Sequence, residues 1–307
     1  MRIVFIGTVE FSRQCLEWVL ECGGNVVAIF TMTRKAARFN TDYSDLGPIA
    51  SRENIPLYRM ERINEEHNIE AIRSLEPDVI FVFGFSQIIA REILDIPPLG
   101  CIGTHPALLP RNRGRHPIIW ALIEDLSESG LTFFILDEGA DSGDIVWHKR
   151  FHITDEDDAG TLYRKITDLA REGISEILPM VQQGEIKRSV QDHSKATYWR
   201  KRVVEDGEIQ WKGTARQVWN LVRSLTHPYV GAHTFQGDRK LIIWRASILK
   251  SDDLHISAGE SRPGTILTVS KEGPLVMTAD GIVKIEEWDG PAGFTFEQGT
   301  TLGREEA

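Results

Sequence analysis

The chain opens on a short apolar run, Arg2–Gly7, rich in β-branched and aromatic residues. A polar turn then leads into Phe11–Leu20, where apolar residues recur at helical spacing. The alternation repeats. Asn25–Met32 reads as a second strand, Leu46–Arg52 as a helix, Ile55–Tyr58 as a short third strand, and Asn64–Leu75 as a helix stopped by Glu76-Pro77. Asp78–Gly84 (DVIFVFG) is continuously apolar, the pattern of a central parallel strand covered on both faces. Thr33–Asp45 is polar and reads as a long loop. Beyond Gly100 a strand ends at His105, His116–Glu124 is helical, and Leu131–Leu136 and Ile145–Ile153 are strands joined closely enough to be antiparallel. Thr161–Val181 is a long amphipathic helix with Leu162, Ile166, Leu169, Ile174, Ile177 and Leu178 near one face. Strands alternating with helices predict an α/β, doubly wound, Rossmann-like N-terminal domain.

After Gln183 the pattern changes. Lys187–Gly207 is polar and irregular, and from Ile209 the elements are short: Gln210-Trp211, a helix at Ala215–Ser224, then strands around Thr234–Phe235, Leu241–Ile248, Gly264–Val269, Pro274–Thr278 and Ile282–Trp288. This spacing predicts a small OB-like β-barrel. The expected organisation is therefore a catalytic domain over 1–186, a linker over 187–207 and a barrel domain over 208–307.

Composition adds limits rather than identity. The 307 residues carry a net charge of −10, which argues against broad nucleic-acid binding. Local basic clusters stand at Arg34, Lys35, Arg38 and at Arg200, Lys201, Arg202. No apolar run reaches the ~20 residues a bilayer-spanning helix requires, and the opening run is too short for a signal peptide. Cys15, Cys22 and Cys101 have neither metal-site spacing nor the look of a disulfide framework, so a reducing, cytoplasmic compartment is expected, with no metal and no membrane. FIGTVEF has a single glycine and is no dinucleotide fingerprint. Neither a Walker-type loop nor a G-x-S-x-G elbow is present.

Two stretches concentrate the chemistry. Cys101–Gly114 (CIGTHPALLPRNRG) runs from an apolar strand through a His and two prolines into a basic loop. Asp137–Asp144 (DEGADSGD) packs four acids among two glycines, again just after an apolar strand. A His at a strand's carboxyl end sits where α/β sheets place ligands. If the two strands are neighbours, His105 faces one of these carboxylates and the pair can move protons. The alternative for His105 is a strand-end His bonded to a backbone carbonyl.

These motifs resemble the folate-dependent formyltransferases, whose pattern is close to N-x-H-x-S-L-L-P-x-x-R-G followed by D-x-G-x-D-x-G-D. Here the matching residues are GTHPALLPRNRG (Gly103–Gly114) and DEGADSGD, at a fitting separation. GTVEFS (Gly7–Ser12), FGFSQII (Phe83–Ile89), ATYWRK (Ala196–Lys201) and HPYVG (His227–Gly231) extend the resemblance over nearly the whole chain. It implies a formyltransferase using N10-formyltetrahydrofolate. His105 and Asp141 would be catalytic, with Asp137, Glu138 and Asp144 as turn and cap residues. Phe85, Ser86, Gln87, Ile88, Ile89, Gly139 and Ala140 would bind the folate and Thr8 the substrate, while Arg113 and Arg115 either hold a phosphate or carboxylate of the substrate or cap the following helix. One position departs: Gly103 stands where the family has an Asn that polarises the formyl oxygen. Ser86, Gln87 and Asn112 are candidate substitutes, and a catalytically degenerate folate-binding protein is the non-enzymatic alternative. Acceptors in the family include nucleotide-linked amino sugars and methionyl-tRNA. The −10 charge and a Thr33–Asp45 loop that begins basic and turns acidic point to the small-molecule nucleotide sugar, with Tyr43, Tyr198 and Trp199 available for stacking. Nucleic acid is the less expected partner, and a homodimer is an open expectation.

Overall fold

The structure is a computed structural model describing residues 1–38, 40–249 and 262–304. Parts of the expected 208–307 domain, residues 250–261 and 305–307, therefore lie outside the described residues.

The N-terminal elements are β1 (Ile3–Ile6), α1 (Glu10–Glu21), β2 (Val26–Met32), α2 (Gly47–Glu53), β3 (Leu57–Met60), α3 (Glu66–Ser74), β4 (Val79–Val82), α4 (Arg91–Leu94), β5 (Cys101–His105), β6 (Arg113–Gly114), α5 (Pro117–Ile123), β7 (Glu128–Ile135), β8 (Ile145–His152) and α6 (Ala159–Gln182). The sheet order is β3-β2-β1-β4-β5-β7-β8. The pairs among β1 to β5 are parallel, whereas β7 runs antiparallel to both β5 and β8. This is the doubly wound α/β arrangement, with strand order reversing between β1 and β4, where such sheets form their ligand crevice. One face buries Val4, Ile6, Phe30, Ile80 and Val82 with Ile69, Ile72 and Ile93. Elsewhere in the sheet, Phe5, Phe81, Phe83 and Phe133 form a chain of stacked and edge-on rings. Continuous apolar strands with both faces covered are the reason the parallel half was readable from its sequence.

The remaining elements are β9 (Tyr198–Trp199), α7 (Ala215–Leu225), β10 (Ala232–Gln236), β11 (Arg239–Leu249), β12 (Ile266–Ser270), β13 (Gly273–Met277) and β14 (Ile282–Asp289). The last five form an antiparallel sheet in the order β10-β11-β14-β13-β12. Their core gathers Trp211, Val218, Val222, Ile243, Val283 and Ile285. At Gln210-Trp211, expected as a short element, the chain enters a turn at Trp211. Trp211 drops its ring into this core and donates its indole N–H to Thr234 Oγ1 at 2.9 Å.

The chain divides into two compact units, and the division is not a single cut along the sequence. The first contains Met1–Pro117, Glu128–His152 and Tyr163–Arg200; the second contains Ile118–Ser127, Ile153–Leu162 and Lys201–Ala307. Much of the stretch 187–207, expected as a linker, thus belongs to the first unit, and it supplies β9, which pairs with β6. Within the second unit two arginines of α7 hold the borrowed segments. Arg216 donates to Asp125 and to Asp155, each at 2.7 Å, and the buried Arg223 donates to the Thr154 and Asp157 carbonyls at 2.9 Å. Hydrogen bonds from Arg216 hold the Asp125 and Asp155 carboxyls below the usual range. A depressed carboxyl stabilises the fold above its unfolded value and ceases to do so as pH falls through its folded one. Asp125→Asn is accordingly expected to cost about 1 kcal/mol at pH 7, the upper end for a solvated pair, and almost nothing once pH has fallen below the folded-state value of this carboxyl. Urea unfolding of both proteins across pH checks this, and a pH-independent difference would count against it.

No helix among the described residues is long and apolar enough to cross a membrane.

Candidate active site

His105 ends β5, and its neighbour across the sheet is Thr132 of β7. β7 runs antiparallel and ends beside Ile102, so the turn after it folds back along the sheet edge to bring Asp141 to the imidazole. The ring is 4 % exposed. Its Nε2 lies 2.7 Å from the Asn112 carbonyl, which only accepts, so Nε2 carries a proton. Its Nδ1 faces Asp141 Oδ2 at 3.5 Å. The ring thus has an oxygen facing each of its nitrogens. The backbone-carbonyl contact and the carboxylate contact, weighed as alternatives for this residue, coexist.

Asp141 has left-handed backbone, φ 53°, unusual for a residue with a side chain. Its carboxylate accepts the Gly114 N–H at 2.7 Å. Gly114 reaches that place because it passes close to β9. It has φ 108°, and a Cβ there would lie 2.2 Å from the Trp199 carbonyl oxygen. In the same turn as Asp141, Asp137 accepts from the Gly139 N–H and the Ser142 hydroxyl, and Glu138 lies 3.5 Å from Arg91. These are local turn and surface contacts.

The loop of Phe85, Ser86, Gln87, Ile88 and Ile89 follows β4 at the switch point. Gln87 does not face outward. Its amide accepts from the Ile63 N–H at 3.0 Å and donates to the Glu61 carbonyl at 2.8 Å, so it shapes the loop and is not available as an oxyanion donor. Asn64 locks the other side, donating to the Ile88 carbonyl and accepting from the Ala90 N–H, both at 2.9 Å. With the loop so fixed, Ile88 is 80 % exposed and Ser86 is exposed, while Ile89 turns into the core. Gly139 and Ala140 are exposed in the turn that carries Asp141. Arg115 donates to the Ser86 carbonyl at 2.8 Å, tying the His105 loop to this one.

The other two residues expected at the substrate are placed differently. Thr8 is fully buried, and its N–H donates to Ser12 Oγ at 2.9 Å. Ser12 also accepts from the Val9 N–H and donates to the Phe83 carbonyl at 2.6 Å, so it joins the first turn to the end of β4. Arg113 is 1 % exposed. Its guanidinium donates to Gln191 Oε1, to Tyr198 Oη and to His193 Nδ1, leaving no room for a phosphate or carboxylate. Of the expected stacking residues, Trp199 is buried, Tyr198 is engaged by Arg113, and Tyr43 lies under Arg34 at 4.8 Å. Ser12, Asn64, Gln191 and Thr197 were all missed; nothing local marks them, since each acts on a segment distant in sequence or through backbone groups.

Gly103 is buried on the same strand as His105. A Cβ on it would meet Leu136 Cδ2 at 2.5 Å, so the space a side chain would need is already filled by an apolar one. Asn112, the remaining side-chain amide candidate beside Ser86, accepts the Thr197 hydroxyl at 3.0 Å through its Oδ1.

Residues 1–178 match the Formyl transferase family and residues 202–295 its C-terminal domain. This chain belongs to the formyl transferase family. Among its relatives is the methionyl-tRNA formyltransferase of Clostridioides difficile (strain 630), 32% identical over 316 residues that take in 99% of this chain and 100% of the relative. Solved structures sharing the fold include HypX from Aquifex aeolicus in complex with tetrahydrofolic acid, with a TM-score of 0.66 and 18% identity; the match covers 95% of this chain and 44% of HypX. Another is the N-formyltransferase from Helicobacter canadensis in complex with folinic acid and dTDP-3-aminofucose, with a TM-score of 0.67 and 16% identity over 92% of this chain and 98% of that one. This formyl transferase is an enzyme. Among the described residues there is no group of His, Cys, Asp and Glu side chains able to hold a metal ion.

Proposed function

We propose that this formyl transferase moves a formyl group from N10-formyltetrahydrofolate to the primary amine of a nucleotide-linked amino-deoxy sugar. The observation that carries the chemistry is His105, at the end of β5, set between the Asn112 carbonyl and the carboxylate of Asp141 in the turn after β7. The neutral amine attacks the formyl carbon, and a C–N bond forms as the oxygen gains charge. The bond to N10 then breaks, and a proton passes from the amine to N10. An imidazole exchanges protons near neutral pH and suits that transfer. Asp141 stabilises the imidazolium while the proton is held. The pterin ring fits against the rigid 85–89 loop and the exposed Gly139–Ala140 backbone, where amide and carbonyl groups lie beside apolar side chains.

The acceptor assignment rests on the 33–45 loop. Two of its cations already have partners: Arg34 lies over the Tyr43 ring, and Lys35 stands 3.6 Å from Glu61 in an exposed pair. Acidic groups pin the loop in place. The Asp42 carbonyl accepts the Glu10 N–H at 2.8 Å, the Asp42 carboxylate accepts the Tyr163 hydroxyl at 2.9 Å, and Glu10 accepts the Ser44 hydroxyl at 3.0 Å. A polyanionic backbone would meet these acids together with the overall charge of −10. A methionyl-tRNA acceptor is the second reading, favoured by the 32% identity over the full length of a relative of that name. Cys15, Cys22 and Cys101 are free thiols, in keeping with a reducing cytoplasm.

Amino-deoxy sugars on UDP, dTDP, GDP and CMP carriers, each incubated with enzyme and formyl donor and read by mass for one added formyl group, test the assignment. One of them is expected to be formylated, and initiator methionyl-tRNA to bind weakly at all salt concentrations. Steeply salt-dependent tRNA binding with formylation of its amine would transfer the assignment to tRNA.

A further inference from the structure

The segment Gln191–Trp199 lies outside both catalytic motifs, yet it touches the partners of both catalytic side chains. The Thr197 carbonyl accepts the Arg113 N–H at 2.9 Å, and Thr197 Oγ1 accepts the Asn112 N–H at 2.8 Å. The Trp199 carbonyl accepts the Arg115 N–H at 3.2 Å. These bonds fix the Asn112 carbonyl that faces His105 and the Gly114 N–H that faces Asp141. A second connection starts at Gln191, which is 3 % exposed. Its Oε1 accepts from Arg113 Nε at 3.2 Å and Nη2 at 2.7 Å. Its Nε2 donates to the Asp141 carbonyl at 2.9 Å and to the Gly143 carbonyl at 2.6 Å.

The orientation of this amide is set by chemistry. A guanidinium only donates, so it must face the amide oxygen, and the amide nitrogen is thereby turned toward the two carbonyls. Asp141 needs such support, because left-handed backbone costs a residue with a side chain roughly 1–2 kcal/mol unless its surroundings enforce it. We infer that Gln191, aligned by the buried Arg113, is a positioning residue that holds Asp141 in register with His105. This rests on His105 and Asp141 being the proton-handling pair of the proposed reaction. His193 belongs to the same assembly, since its Nδ1 accepts from Arg113 at 3.1 Å.

Gln191→Glu separates positioning from general stability. The variant keeps an acceptor, now charged, against Arg113, and it loses the donor to the Asp141 and Gly143 carbonyls. Its Tm is expected within about 3 °C of wild type, while the Gly114 amide, released from the Asp141 carboxylate, exchanges with solvent at least about tenfold faster. Turnover should fall about tenfold or more in kcat, with KM for the formyl donor within about twofold. In an Asp141→Asn background, the same substitution should change kcat by less than about twofold, since its route of action is already gone. Unchanged Gly114 exchange overturns the inference, and so does a full additional loss of kcat in the Asp141→Asn background. The exchange measurement needs no acceptor. A wild type that formylates no amine would therefore sink the proposed function while leaving this inference to be decided by Gly114.

Discussion

Replacing His105 by Ala is expected to lower kcat about a thousandfold, within the range for losing a positioned proton-transfer group, while KM for the formyl donor changes by less than about threefold. The imidazole is buried and held at both nitrogens, so no solvent-exposed side chain can take its place. Asp141→Asn is milder. The amide retains an oxygen for the Gly114 N–H, 2.7 Å away in the native protein, but loses the charge that balances the imidazolium. A loss of about a hundredfold is expected there. Initial rates of tetrahydrofolate release, measured on variants whose circular dichroism matches wild type, decide the matter. Retention of more than about a tenth of the activity by His105→Ala would remove the imidazole from the proton path.

The second large effect concerns Gly103. An Asn at this position supplies the amide that the family pattern carries, and the simplest expectation is a gain of activity. The packing predicts the opposite. With Leu136 Cδ2 2.5 Å from where a Cβ must go, the new side chain displaces the leucine, which otherwise packs against the core of β1, β2 and β4. Overfilled sites of this kind cost about 1–3 kcal/mol, and the strain falls two residues from His105. Gly103→Asn alone should therefore destabilise the protein and reduce turnover. Leu136→Ala alone leaves a void and costs about 2 kcal/mol. Together the two changes relieve each other. The double variant should be more stable than the sum of the single effects by at least about 1 kcal/mol and more active than Gly103→Asn. Urea unfolding and initial rates on the four proteins give the coupling, and strict additivity would show that Leu136 does not occupy the space in question.

Much of this was legible in the sequence because it follows short-range rules. Continuous apolar runs announce covered parallel strands, and Val79–Val82 is entirely buried. The connection after Leu136 fixed β7 and β8 as an antiparallel pair, and a His at a strand end with an acid-rich turn to follow pointed to the approach of His105 and Asp141. Arg113 and Thr8 were misplaced for a common reason. A polar residue in a loop beside a motif looks like a ligand group, and only the tertiary structure reveals that Thr8 is fully buried and Arg113 nearly so. Gln191 lies 78 residues beyond Arg113, in a stretch with no periodicity to read. Neither the two-residue pairing of β6 with β9 nor the loan of Ile118–Ser127 and Ile153–Leu162 to the second unit leaves a local trace.

The brace on Asp141 bears on how the chain tolerates dissection. The two family matches end at residue 178 and resume at residue 202, so Gln191, Thr197 and Trp199 fall in the interval between them. A fragment ending at Leu178 would carry His105 and Asp141 but lack Gln191, Thr197 and Trp199, which hold their partners still. The smallest portion able to act as a catalyst must extend at least to Trp199, and swapping second domains between relatives should join them after that residue.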